Sequence, residues 1–369
     1  MPHGVIVDPI FKSPQSGEIL TYTRCGDAAN WTGHFLAAES YRFALTGHWK
    51  AREHVYRAVS GIRQLVDATG ADLLARCIFP ADSPYAASFA SEERHNGVYE
   101  GTVDGRKCFW VGRTSRDQYS GVFFGLSVAY EVAPDAGLRA SIRWLAGRLL
   151  GSLLKNDWAV VMPDGDISTV FTFRPDQQLA LLQVGRQTDP QRFERAYVEL
   201  AAAAADTPGT ILFFEALDTH NSYFKFNLDY INMFSLIRLE PDPDLASRYK
   251  SAYDVLRGAT EGHDNAHFNL IDRALNGPEF RRDRATVQLL ENWLKRPRRD
   301  YWVDLCGKYV PCFQSDRACR VIPVLERVNS DFLWQRSPFL LYGGGSCLIE
   351  APGIDYFLPY WMARYYGVL

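Results

Sequence analysis

Asp27-Ala28-Ala29-Asn30-Trp31-Thr32-Gly33-His34 gathers polar and aromatic side chains just ahead of a nearly uncharged run, Phe35-Leu-Ala-Ala-Glu-Ser-Tyr-Arg-Phe-Ala-Leu45. Gly47 follows, a residue suited to ending a helix because it accepts left-handed backbone angles. Residues 49–69 then place Val55, Val59, Ile62, Leu65 and Val66 on one helical face, with Arg52, Glu53, Arg57 and Arg63 elsewhere. An almost apolar helix over 30–47 and an amphipathic one over 49–69 are therefore expected, joined tightly as an antiparallel hairpin. The first can lose contact with water on every side; the second must keep one face wet.

The same alternation recurs. Ser115-Arg116-Asp117-Gln118-Tyr119 opens an apolar helix over 117–133 with a charged companion over 136–155, and Asp176-Gln177-Gln178 opens a pair over 176–187 and 190–205. His220-Asn221-Ser222-Tyr223 precedes 222–239 and 243–259; His263-Asp264-Asn265-Ala266-His267 precedes 263–276 and 282–295; Gly353-Ile354-Asp355-Tyr356 opens a terminal helix over 354–366. Five such pairs and the terminal helix, six polar clusters in all, predict one all-α domain over 1–369, an (α/α)6 toroid, with ten to twelve helices and no internal linker. Residues 1–26 read as an extended lead-in, and 70–114 as a long excursion with a β-pair around Gly97–Val111. Long loops of that kind usually cover a site. A turn flanked by short strands is expected at Val160–Asp166, a helix or strand near 319–330, and a loop through Trp334 to Gly343-Gly344-Gly345.

Composition excludes several classes. A net charge of -3 with no strong basic face argues against nucleic acid as the main partner. No apolar run approaches the roughly 18 residues needed to cross a membrane, so no membrane partner is expected. The start carries no visible signal peptide, and the compartment stays open. Seven cysteines leave at least one unpaired. Cys306, Cys312 and Cys319 cluster at no common zinc spacing, so free thiols are the simpler reading beside a disulfide or a metal. No phosphate loop, dinucleotide fingerprint or nucleophile elbow appears, and no cofactor is expected. Aromatics reach 14%, which suits either a carbohydrate ligand or a packed core.

The paired-helix organisation resembles the six-hairpin toroids of glycoside hydrolases, polysaccharide lyases and sugar epimerases. His220-Asn221-Ser222-Tyr223 is similar, in inverted order, to the Asn-His-and-Tyr arrangement of alginate-lyase-like toroids. The resemblance implies a ring whose inner helix starts share one mouth, and a glycan or other small organic substrate. It implies β-elimination on a uronic acid, with His220 or Asn221 neutralising the carboxylate and Tyr223 or His220 moving the proton.

Each helix start also has a bland reading as a cap. The competing chemistry is hydrolysis by paired carboxylates, for which Asp27, Asp117, Glu350 and Asp355 are candidates. Trp31, His34, Arg76, Gln118, His263, Asn265, His267, Trp334 and Arg336, with Glu350 and Asp355, are expected to line the substrate site. Arg76 suits a substrate carboxylate. The third reading is a non-catalytic or self-assembling scaffold, in which the aromatics are packing and the polar clusters are caps; a filled centre would favour it.

Overall fold

Thirteen helices and nine short strands appear in a computed structural model that describes residues 4–312 and 315–369. Helix accounts for 57% of it, so the chain is mainly α. The first hairpin is α1 (Ala28–Thr46) and α2 (Trp49–Asp67), with Gly47 at φ 60 between them and His48 capping α2 through Lys50 N–H. After α3 (Ala86–Glu92) come α4 (Arg116–Val132) and α5 (Ala136–Lys155), the latter capped by Asp135. The next are α6 (Pro175–Thr188), α7 (Pro190–Ala204), α8 (Thr207–Ala216), α9 (Tyr223–Arg238) and α10 (Pro243–Ala259). The last are α11 (Ala266–Asn276), α12 (Phe280–Leu294) and α13 (Ile354–Tyr365).

Helices α1, α4, α6, α9, α11 and α13 are the ones largely out of solvent, and they touch in that order, with α13 returning to α1. Their charged companions α2, α5, α7, α10 and α12 each pack against one of them. The closest approach is between α1 and α4. A Cβ on Gly33 would lie 2.0 Å from the Gly121 carbonyl oxygen, and one on Gly125 would lie 2.2 Å from that of Gly33. Only hydrogen fits there, and the ascending register (Asn30 beside Gly121, Gly33 beside Gly125) makes the two helices parallel. One continuous apolar core runs from Val5 to Ala363.

Strands form at the edges of this helical body. β1 (Asp8–Phe11) and β2 (Ile19–Thr23) lie within the expected lead-in and join β9 (Tyr342–Glu350) and β8 (Arg299–Asp304) in one antiparallel sheet, order β2-β1-β9-β8. The triple glycine read as loop is thus strand, and 319–330 holds only a 3-10 turn, Val324–Glu326. β3 (Cys77–Pro80), β4 (Val98–Val103) and β5 (Arg106–Val111) make a second sheet, and β6 (Ala159–Val161) with β7 (Ile167–Val170) a hairpin; all but β3 lie where strands were expected. The segment 321–341 carries buried Phe332, Leu333, Trp334 and Phe339. Such apolar side chains bury a loop that its polar backbone alone would keep at the surface.

Candidate functional site

The starts of α1 and α4 converge on Asp27. A disulfide joins Cys25 to Cys77 of β3, a pairing the sequence did not single out; Cys306, Cys312 and Cys319 carry no disulfide. The bridge holds the turn before α1 against Arg76. The Arg76 guanidinium donates to Gly26 O (3.0 Å) and Arg113 O (2.9 Å) and lies 4.0 Å from Asp27 Oδ1. On α4, Ser115 and Gln118 form a capping box, the Ser115 N–H donating to Gln118 Oε1 at 2.9 Å. Gln118 Nε2 then reaches across to Asp27 Oδ1 at 3.1 Å. Asp27 makes no cap bond to its own helix, so capping does not account for it. Asp117 sits in the first turn of α4, within the field of Arg76.

Asp27 combines a raised pKa with an exposed carboxyl. Burial, then the charge of Asp331, lifts its carboxyl from 3.8 to about 6 against the pull of Arg76, with Asp117 and Glu93 adding to the rise. Yet 40% of its side chain meets solvent. A group both desolvated and exposed lies in a recess. Burial also raises Asp117, with Arg76 opposing, and lowers Arg76, whose charge Asp27, Asp117 and Glu93 partly restore. Asp8 is lifted to about 7 by burial, against its 2.6 Å pair with Arg24. Two neighbouring carboxyls beside a cation can exchange a proton with a ligand near neutral pH.

The starts of α9 and α11 are different. Tyr223 is 2% exposed, and its hydroxyl is bonded to His263 Nδ1 at 2.6 Å. Burial pushes the phenol well above its usual range and takes His263 down to about 4, with His220 and Arg327 adding to the latter. The His220 ring lies on Phe339, centroids 4.1 Å apart, and Arg317 Nε donates to its carbonyl at 3.3 Å. Arg327 donates to the carbonyls of His263 (3.1 Å) and Asp264 (3.0 Å), fixing the corner before α11. Asn221 is exposed and donates to Asp218.

Several residues expected to face substrate lie beneath the surface instead. Trp31 stacks on Phe332 (4.9 Å) and donates to Asp331 Oδ2 at 3.2 Å. His34 and His267 are fully buried with ring centroids 5.9 Å apart; His34 Nε2 and both nitrogens of His267 have no partner. Burial lowers His34 to about 4 and holds His267 well below the usual imidazole range. Trp334 is buried and donates to the Asp355 carbonyl, while Asn265 caps α11 and donates to Trp334 O. The physical reason is common to all: segment 321–341 lies over the helix starts and turns them into core. Gln118 is buried too, but positions Asp27; Arg336 is exposed. Glu350 and Asp355 belong to a separate cavity, lined by none of Asp27, Arg76, Asp117 or Gln118.

Sequence reasoning missed Asp8, Arg24, Glu93 and Asp331 around the recess, since strand and loop positions give no helical spacing. It also missed a buried knot in which Arg174 pairs with Asp176 (2.7 Å), Glu215 (2.7 Å) and Asp229 (2.9 Å). Burial first, then Glu215, raises Asp229 well above the carboxylate range. Among the described residues, no group of three or more His, Cys, Asp or Glu side chains is arranged to hold a metal, and no helix is long and apolar enough to cross a membrane. The chain matches no protein-family model, no curated protein and no solved structure.

Proposed function

We propose that the six buried helices close as an (α/α)6 toroid and that the recess at the starts of α1 and α4 hydrolyses a glycosidic bond. The cyclic order of helix contacts supports the ring. One observation carries the chemistry: Asp27, a solvent-accessible carboxyl, is held near pKa 6 beside Asp117 and Arg76. Asp27 would protonate the leaving oxygen, and Asp117 would activate water or bear the developing charge. Arg76 opposes the rise that burial imposes on both carboxyls, and Gln118 fixes the Asp27 carboxyl in place.

Hydrolysis is favoured over elimination because elimination needs a reachable phenol or imidazole. Tyr223 is buried with its hydroxyl spent on His263 Nδ1, and burial pushes the phenol up, away from the phenolate. The test is a polysaccharide panel read two ways, by reducing ends and by ultraviolet absorbance of unsaturated products. Wild type should release reducing ends, and Asp27→Asn should lower that rate by about 100-fold or more. Unsaturated product that disappears in Tyr223→Phe would establish elimination and discard the hydrolytic reading.

The scaffold reading has one specific support: the interior between α1, α4, α9 and α11 is filled by His34, His267, Phe124 and Phe332. It gains if no glycan is turned over by folded wild-type protein. The recess, however, lies outside that filled interior, so a plugged centre and an open site coexist.

A further inference from the structure

A second cavity, of 470 Å³, opens between the C-terminal end of α12 and the start of α13. Its volume lies in the range of small-molecule sites, roughly 300–1,000 Å³. Trp293, Tyr356 and Phe35 supply aromatic walls; Ser330, Glu350 and Asp355 supply polar ones. The Trp293 and Tyr356 rings are 5.0 Å apart at 30°.

Two of the polar walls are incomplete. Asp355 Oδ2 accepts from the Trp293 indole N–H (3.0 Å) and the Leu333 backbone N–H (3.2 Å), which leaves Oδ1 buried without a partner. Ser330 Oγ is likewise buried and unpartnered, and both residues are 4% exposed. An unmet buried acceptor costs about 1–3 kcal/mol, which a bound donor removes. Glu350 is already faced by Arg298 (4.0 Å) and Arg299 (3.8 Å), and Arg296 spends its donors on the carbonyls of Val324 and Arg327 and on Asn329. Apart from Asp355 itself, these charged side chains are already paired or spent. The cavity lacks hydroxyl partners beside an aromatic wall, which is the complement of a pyranose ring: C–H groups against the open ring surface, hydroxyls at the rim.

We infer that this cavity is a second, non-catalytic saccharide-binding site, in which Asp355 and Ser330 take sugar hydroxyls and the wall of Tyr356 and Trp293 takes a face of the ring. It is distinct from the Asp27 recess. Ser330 faces the cavity, while its neighbour Asp331 bonds Trp31 and acts on Asp27, so segment 329–333 is the wall between the two.

Isothermal titration with the methyl glycosides of glucose, galactose and mannose and with their β-linked disaccharides tests it, with tetramethylammonium as the cationic control. At least one neutral sugar should bind wild type. Its affinity should fall about tenfold in Ser330→Ala and in Tyr356→Ala, both checked for native circular dichroism, and stay unchanged in Asp27→Asn. Turnover at the recess should survive Tyr356→Ala, so a failure here is separable from a failure of the hydrolytic reading. Binding lost in Asp27→Asn but kept in the cavity variants would overturn the second site. So would tetramethylammonium binding where every sugar fails, or no sugar binding at all.

Discussion

The starts of α1 and α4 and the starts of α9 and α11 are built alike, with polar and aromatic residues at the head of a nearly apolar helix, yet only the first pair is open. At Asp27 a disulfide, a capping box and Arg76 hold a carboxyl in a recess that solvent reaches. At Tyr223 the same kind of cluster is closed by Phe339 and by the guanidinium groups of Arg317 and Arg327. The difference lies in what covers each start. Helix heads collect chemistry through their free N–H groups and their position, but the overlying segment decides whether that chemistry is used or becomes packing.

Catalysis gives the widest separation between the two halves. Asp27→Asn should cost about 100- to 10,000-fold in turnover of a susceptible glycan, whereas Tyr223→Phe should leave the rate within about threefold. Equal losses in both variants would erase the distinction.

The disulfide comes next. Cys25–Cys77 closes 52 residues, and loop-closure entropy puts its contribution at about 4 kcal/mol on the chain-entropy view. Cys25→Ser with Cys77→Ser should lower the denaturation midpoint accordingly and blunt the Asp27 half first, because that bridge fixes the turn bearing it. A calorimetric Tm that does not move would show that the sheet alone holds the turn.

Gly33→Ala probes the α1–α4 seam underneath. The added Cβ would meet the Gly121 carbonyl at 2.0 Å, and separating two backbones should cost about 3 kcal/mol in urea unfolding. Little change would mean that the helices part freely.

The smallest effect concerns pH. Asp27 has a folded pKa of about 6 against the ordinary aspartate value of 3.8 in the unfolded chain. It binds a proton on folding, so its contribution is full below 3.8, falls as pH rises to about 6, and is flat beyond. Asp27→Asn should therefore be more stable than wild type at pH 7, by about 1 kcal/mol after allowance for solvent screening, and equal to it near pH 4. Chemical denaturation at the two pH values checks the sign; a variant less stable at pH 7 would reverse it.

Much of this was legible in the residues. The helices at 28–46, 136–155 and 243–259 follow their periodicity and end signals closely. α8 was not legible: Thr207–Ala216 is apolar all round, without the period that marks one buried face. β8 and β9 were hidden because glycines at 343–345 read as loop, although close approach requires them: a Cβ on Gly344 would lie 2.0 Å from Tyr301 O. Within the site, Asp27, Asp117 and Gln118 could be found from their places at helix starts, and Arg76 from its charge just after an apolar turn. Trp31, His34, His267 and Trp334 could not be told from them, since only the fold of segment 321–341 decides that they are covered. Asp331 carried no signal, being set in that segment.

The central claim is that Asp27 is an open carboxyl poised near neutrality. Carboxyl-13C NMR on aspartate-labelled protein, with Asp27→Asn to assign the resonance, measures it directly. A midpoint near 6 is expected; a midpoint at or below about 4, the ordinary aspartate value, would contradict the account.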